Sequence, residues 1–345
     1  MIHIKRTKAF WSDLETLHLK ELDKAPYNVS STLNGIITDA FIAKETNQEN
    51  LFKHLKKHLP NILIGAPSVL EGIISTTEPL IKLCDDELKK KFPKADDYKP
   101  ALVKFKSNIE KVFNYVKFRS EYKKYGAYSL VNKLNVSTCP YCNRLHTTTI
   151  ETNEGRTRAK LDHWFDRATH LYLAISLYNL IPCCSICNSD LKGSEKFNLK
   201  NNIHPYLEGF EDQLYFKSNI SSAAYKTGGT DSFSLDFYTK VSGSSETDLM
   251  GRARESIRVF CLKDLYNHHK EIAGKVIEKI DSASPDYLDS LLLYKNHLDI
   301  PLFRSKNDVL KRYFDIIIDR DLFETEIFSK LKRDIALEQK LFPYP

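Results

Sequence analysis

The chain has 345 residues and a net charge of +6, with 42% hydrophobic and 28% charged residues. That length supports one large or two modest domains, and the composition excludes collagen-like and wholly disordered chains. The longest apolar stretch, residues 171–184, is too short and too polar to span a membrane, and residues 1–10 lack the apolar core of a signal peptide. A cytoplasmic protein is therefore expected, with its seven Cys serving as thiols, ligands or nucleophiles before disulfides.

Residues 1–134 read as a helical region. Residues 11–23 are amphipathic, and Ser31 is a candidate cap for a helix running toward Lys44. From Leu102 the apolar residues Leu102, Phe105, Ile109, Val112 and Val116 repeat at heptad spacing. Lys104, Lys106, Lys111 and Lys117 fall mostly off that stripe. Residues 89–124 hold 12 Lys or Arg against four acids, a local excess that suits a polyanion such as nucleic acid. A solvated helix face is the competing reading of the same lysines.

Residues 135–210 form a second region, with five of the seven Cys and many turn residues. Residues 211–345 form a third. It opens with a Ser, Gly and Thr-rich stretch containing an alternating strand over 233–241, and returns to helix over 251–280 and 306–341. Cys84 and Cys261 sit in apolar helical contexts and are expected in the core.

The second region carries the chemistry. Cys139-Pro-Tyr-Cys142 and Cys184-Ser-Ile-Cys187 are two C-x₂-C knuckles separated by 41 residues. Two such pairs complete a four-thiolate zinc site, and the long spacer implies an insert between them. Cys183 is a rival ligand, but Cys184 repeats the spacing of the first knuckle. Within the insert stand Asp162-His163, then Asn179, with Asn188 and Lys192 after the second knuckle.

His163 titrates near neutrality when unperturbed and is the natural general base for activating water. On an extended segment Asp162 faces the other way, toward a metal. The carboxylate of Asp162 and the amide oxygen of Asn188 suit a hard ion, Mg²⁺ or Mn²⁺. Lys192 and Arg144 are candidates to touch phosphate, with solvated cations as the alternative. His204 either lines the site or packs.

The order Cys-x₂-Cys, Asp-His, Asn-Leu-Ile-Pro-x-Cys-x₂-Cys-Asn-x₃-Lys resembles zinc-containing HNH endonucleases of the ββα-metal (His-Me finger) fold. The likeness covers roughly residues 139–205, and it is nearest to the HNH nuclease subunit of Septu-type anti-phage defence systems. The resemblance implies an α+β, mostly helical protein with a ββα-metal core and Cys₄ zinc knuckles embedded in a helical body. It implies His163 as base, Asp162 and Asn188 as metal ligands, and Asn179 as the residue orienting the loop or His163. It also implies nucleic acid as substrate, with double-stranded DNA favoured, and a separate ATPase subunit in a defence complex.

Two other readings stay open. One is a nuclease of the same fold acting on structured RNA such as tRNA. The other is a non-catalytic zinc module that binds nucleic acid or a partner protein. No deaminase, zinc-protease or phosphate-loop motif is present, so an ATP-driven step would need another chain.

Overall fold

The computed structural model describes residues 1–210, 212–220, 233–239, 248–283 and 287–341. The amino-terminal helices are α1 (Lys8–Leu22), α2 (Val29–Ile42), α3 (Thr46–Lys57), α4 (Leu59–Ile64), α5 (Pro67–Lys91), α6 (Ala95–Val112), α7 (Tyr115–Ser120) and α8 (Ala127–Leu134). Short antiparallel pairs follow: β1 (Ile150–Glu151) with β2 (Arg156–Thr157), and β3 (Lys160–His163) with β4 (Leu180–Cys183). A wide helical segment, Ile186–Lys192, comes directly after β4. The pair β5 (Leu214–Ile220) and β6 (Phe233–Thr239) precedes α9 (Asp248–Val259), α10 (Leu262–Asn267), α11 (Lys270–Asp281), α12 (Tyr287–Leu291), α13 (Lys306–Arg312) and α14 (Ser329–Glu338). The protein is thus α+β and mostly helical, with small antiparallel sheets. None of the helices described is long and apolar enough to cross a membrane.

Local physics moved several expected boundaries. The second helix begins at Val29 behind Asn28, which sits at φ 50°, so Ser31 lies inside the first turn and is not the cap. The basic helix begins at Ala95 and stops at Val112, burying Phe105, Ile109 and Val112. Val116 falls beyond that end, in α7, and is exposed. The expected helix over 251–280 is three helices, broken first at Cys261, whose φ is 45°. Cys261 is exposed and not a core residue, whereas Cys84 is buried. The strand expected over 233–241 runs to Thr239, and its last two positions lie outside the described residues.

One apolar core joins residues from all three regions, including Leu33, Phe105, Phe165, Leu235 and Leu331. The first knuckle stands near its centre. Ile2 donates its backbone N–H to the Pro140 carbonyl at 2.8 Å, and the Tyr266 hydroxyl donates to the Cys142 carbonyl at 2.5 Å. Tyr141 stacks on Phe260 with centroids 4.4 Å apart. On α14 the buried Lys330 donates to Asp334 at 2.8 Å, Arg333 pairs with Asp212 at 2.6 Å, and Asp334 accepts from the Phe216 N–H of β5. That network pairs charges which would otherwise be costly to bury.

Asn143 holds the carboxy-terminal segment against this knuckle. It lies in the left-handed region at φ 49°, where Asn is tolerated. Its amide nitrogen donates to Thr138 Oγ1 and to the carbonyls of Phe323 and Glu326. Its Oδ1 accepts from Ser329 Oγ and the Lys330 N–H. Asn143→Ala leaves several buried partners unsatisfied, so it should cost about 2–4 kcal/mol. Denaturant unfolding should read this as a lower midpoint, while Asn143→Asp should lose only the bonds that the amide nitrogen donates.

Candidate active site and metal centre

The thiols of Cys139, Cys142, Cys184 and Cys187 are all buried and lie within 4.8 Å of one another, with Cys142 Sγ 4.0 Å from Cys184 Sγ. A zinc tetrahedron with bonds of about 2.3 Å has edges of about 3.8 Å, so the cluster needs little contraction to hold one ion. Burial pushes the Cys139 thiol well up, and a divalent cation at the centre is what makes four buried thiolates affordable. The group can hold a metal ion and fits structural zinc. Cys183, the last residue of β4, is buried but stands outside the group.

The cluster fixes what lies between the knuckles. β3 and β4 pair antiparallel with His163 opposite Leu180 and Asp162 opposite Ile181. Adjacent side chains leave a strand on opposite sides, and these two diverge accordingly. Asp162 is buried; its Oδ2 accepts from the Tyr141 hydroxyl at 2.6 Å and its Oδ1 from Lys192 Nζ at 3.0 Å. Lys192 also donates to the His163 carbonyl at 2.6 Å, closing the helical segment over the hairpin. Gly193 then ends that segment at φ +48°. Lys192 is therefore a buried partner of Asp162 on the wall of a cleft, not the solvated cation that was the alternative reading.

His163 reaches the same cleft by another route. Its Nε2 is 2.9 Å from the Ala174 carbonyl, and its ring meets Tyr115 edge-on at 4.4 Å. A carbonyl only accepts, so Nε2 carries the proton and Nδ1 is left with its lone pair. Burial lowers the His163 pKa to about 4, which keeps the ring neutral near pH 7.

The carbonyl that orients His163 belongs to a row of three, each engaged by a side chain. Leu173 O accepts from Asn179 Nδ2 at 3.1 Å, Ala174 O from His163, and Ile175 O lies 2.8 Å from His18 Nε2. Asn179 also accepts from the Phe165 N–H at 2.6 Å and returns a bond to the Phe165 carbonyl. Asn179 thus pins the loop over 164–174. His18, on α1, does the same from outside the module, and its position in a helical stretch gave no sign of this.

His163 and Asp162 line a cleft of about 710 Å³ together with Asn188, which is half-buried. Asn188 donates to Ser189 Oγ at 3.3 Å, and among the described residues nothing donates to its Oδ1. The cleft also holds Arg119, Arg156, Arg158, Lys160 and Arg167, against Asp162 and Asp166 as its acids. None of these five was among the candidates drawn from the sequence. Arg156, Arg158 and Lys160 lie close ahead of Asp162, on β2, the link after it and β3, and that nearness to the Asp-His pair was their only signal in the sequence. Arg144 and His204 lie elsewhere. Arg144 is buried 2.8 Å from His269, and His204 is buried against Trp164 and the Tyr178 carbonyl. Lys104 is on the exposed face of α6, while Lys111 and Lys117 border a neighbouring groove.

No family model, curated protein or solved structure matches this chain.

Metal analysis should return about one zinc per chain. Cys139→Ser or Cys187→Ser should lose it together with the fold of the module, since structural zinc supplies folding energy directly. Cys183→Ala should retain it. A second expectation follows from His18, whose pKa burial lowers to about 4. The unfolded chain binds this proton at about pH 6.5. The contribution is therefore whole above that pH and shrinks as pH falls toward 4, by at most about 3 kcal/mol. His18→Gln keeps a donor for Ile175 without the titration, so its denaturation midpoint should fall less steeply between pH 7 and 4.5.

Proposed function

We propose that this chain is a metal-dependent HNH-type endonuclease that hydrolyses phosphodiester bonds of nucleic acid. The observation that carries the reading is an imidazole oriented through Nε2 by the Ala174 carbonyl, with Nδ1 unengaged, in a cleft lined by six Lys and Arg side chains. A polyanion suits that cleft, and an imidazole held in one orientation beside it has a ring nitrogen with which to take a proton from water. The antiparallel pair β3–β4 followed by a helical segment that begins in the second knuckle is the arrangement expected of a ββα-metal core.

In the proposed reaction Arg119, Arg156, Arg158 and Arg167 hold successive phosphates. His163 Nδ1 takes the proton of the attacking water while Ala174 keeps the ring aligned. The donor set also fits a hard cation. Asp162 has carboxylate lone pairs beyond the two that Tyr141 and Lys192 use, and Asn188 offers its amide oxygen to the same cleft. Mg²⁺ or Mn²⁺ bound there would neutralise charge at the leaving oxygen. The four thiolates cannot do this, because zinc so bound is coordinatively closed.

The resemblance to Septu-type subunits favours DNA over RNA and a role in anti-phage defence. It also makes a separate ATPase the proposed partner, which accords with the lack of a phosphate-binding loop in this chain.

Plasmid DNA and total RNA, each with Mg²⁺, Mn²⁺ or chelator, give the direct test. Wild-type protein should cut one of them only with metal. His163→Ala should retain fold, zinc and binding while losing at least about 100-fold in rate, the usual contribution of a positioned base. Wild-type cleavage rates in His163→Ala would overturn the assignment in favour of a non-catalytic zinc module. Arg158→Ala should weaken binding alike for all sequences and lower the slope of log affinity against log salt by about one.

A further inference from the structure

Tyr115 separates two cavities. One side of its neighbourhood is the cationic cleft with His163. The other is a groove of about 340 Å³, and both Tyr115 and Arg167 line both spaces. Ala174, whose carbonyl orients His163, lies on the wall of this groove as well. Phe113, Val116 and Leu171 give it an apolar lining, and Ser107 and Glu110 add polar groups. Arg167 stands 5.4 Å from the Tyr115 ring, and among the described residues no carboxylate pairs with it.

Resting on the nuclease reading, we propose that this groove is a base subsite. It receives one unstacked nucleobase of the strand whose neighbouring phosphate lies in the cationic cleft. The substrate class is then nucleic acid that presents an unpaired nucleotide beside the scissile bond: a single strand, an overhang or an extrahelical base.

Size, lining and continuity support that occupant. The volume sits at the low end of small-ligand pockets, about 300–1,000 Å³, which suits one nucleoside and excludes a duplex. An aromatic ring next to an unpaired cation is how sequence-tolerant sites hold a base and its phosphate together. Moving a base out of the stack is costly in a paired duplex, and a base already unpaired enters a pocket at least cost. Arg167 and Tyr115 belong to both cavities, so a strand engaging the phosphate site passes the mouth of the groove without a gap.

The test uses full-length His163→Ala, expected to bind without cutting, and oligonucleotides with 2-aminopurine at successive positions. Free strands and a duplex with one bulged 2-aminopurine should show a fluorescence change on binding at one register, and the fully paired duplex should show none. Removing the base at that register should weaken binding about 10-fold. Val116→Arg, at an exposed position, fills the groove yet adds a positive charge. It should erase both the fluorescence change and the cost of base removal, although charge alone would strengthen binding. An equal signal from the paired duplex, or an unchanged abasic cost in Val116→Arg, would overturn the subsite. Cleavage by wild-type protein without any base signal sinks the subsite alone, and a base signal without wild-type cleavage under any metal sinks the nuclease reading alone.

Discussion

Everything near the cleft depends on four thiolates brought to one point from two places in the chain. Loop closure over 41 residues is entropically unfavourable, and the short strands β3 and β4 could not hold it by themselves. A metal ion held by the four thiolates would supply the closure and fix the register of that hairpin. Asp162 and His163 are then aimed in opposite directions by nothing more than strand alternation. The first knuckle is also where other parts of the chain gather. Residue 2, the α9–α10 corner and the segment ahead of α14 all bond to or pack on residues 140–143. A module that reads as a small insert in sequence is the point on which both flanks are fastened.

The flanks return that support through the row of carbonyls at Leu173, Ala174 and Ile175. The middle one fixes the tautomer of His163, and its neighbours are tied down by Asn179 from within the module and by His18 from α1. Ser176 adds a bond from its hydroxyl to the Ile62 carbonyl. Orientation of an imidazole is sensitive to the position of its acceptor. The long helical body therefore has a direct mechanical reason to be part of this protein, beyond any contact with a partner.

Charge follows a similar division. The basic stretch over 89–124 drew attention by its density, but most of its lysines face solvent away from the cleft. The cations beside His163 are four arginines and two lysines drawn from α7, β2, the link to β3, β3 itself, the loop after it and the end of the helical segment over 186–192. Arg119 alone joins the two sets. Density along a chain is a weak guide to charge in space, because a helix spreads consecutive residues over all its faces while a strand collects alternate ones. Arg144 and His204 illustrate the opposite failure: near the motif in sequence, they are turned inward and consumed by packing.

Taken by itself, the sequence determined the four cysteines, the Asp-His pair and the asparagines around them, because each is a local pattern whose spacing has a chemical meaning. It determined the mostly helical character as well, since apolar periodicity is written residue by residue. Only the tertiary structure decided that Lys192 is bound to Asp162, that Cys261 is exposed, that Asn143 clasps the carboxy-terminal segment and that His18 braces the loop beside His163. It alone gathered Arg119, Arg156, Arg158, Lys160 and Arg167 into one cleft. Each of these rests on a contact between residues far apart in the chain or on a backbone angle at a helix end. Neither leaves a periodic trace, and both are settled by how the core closes.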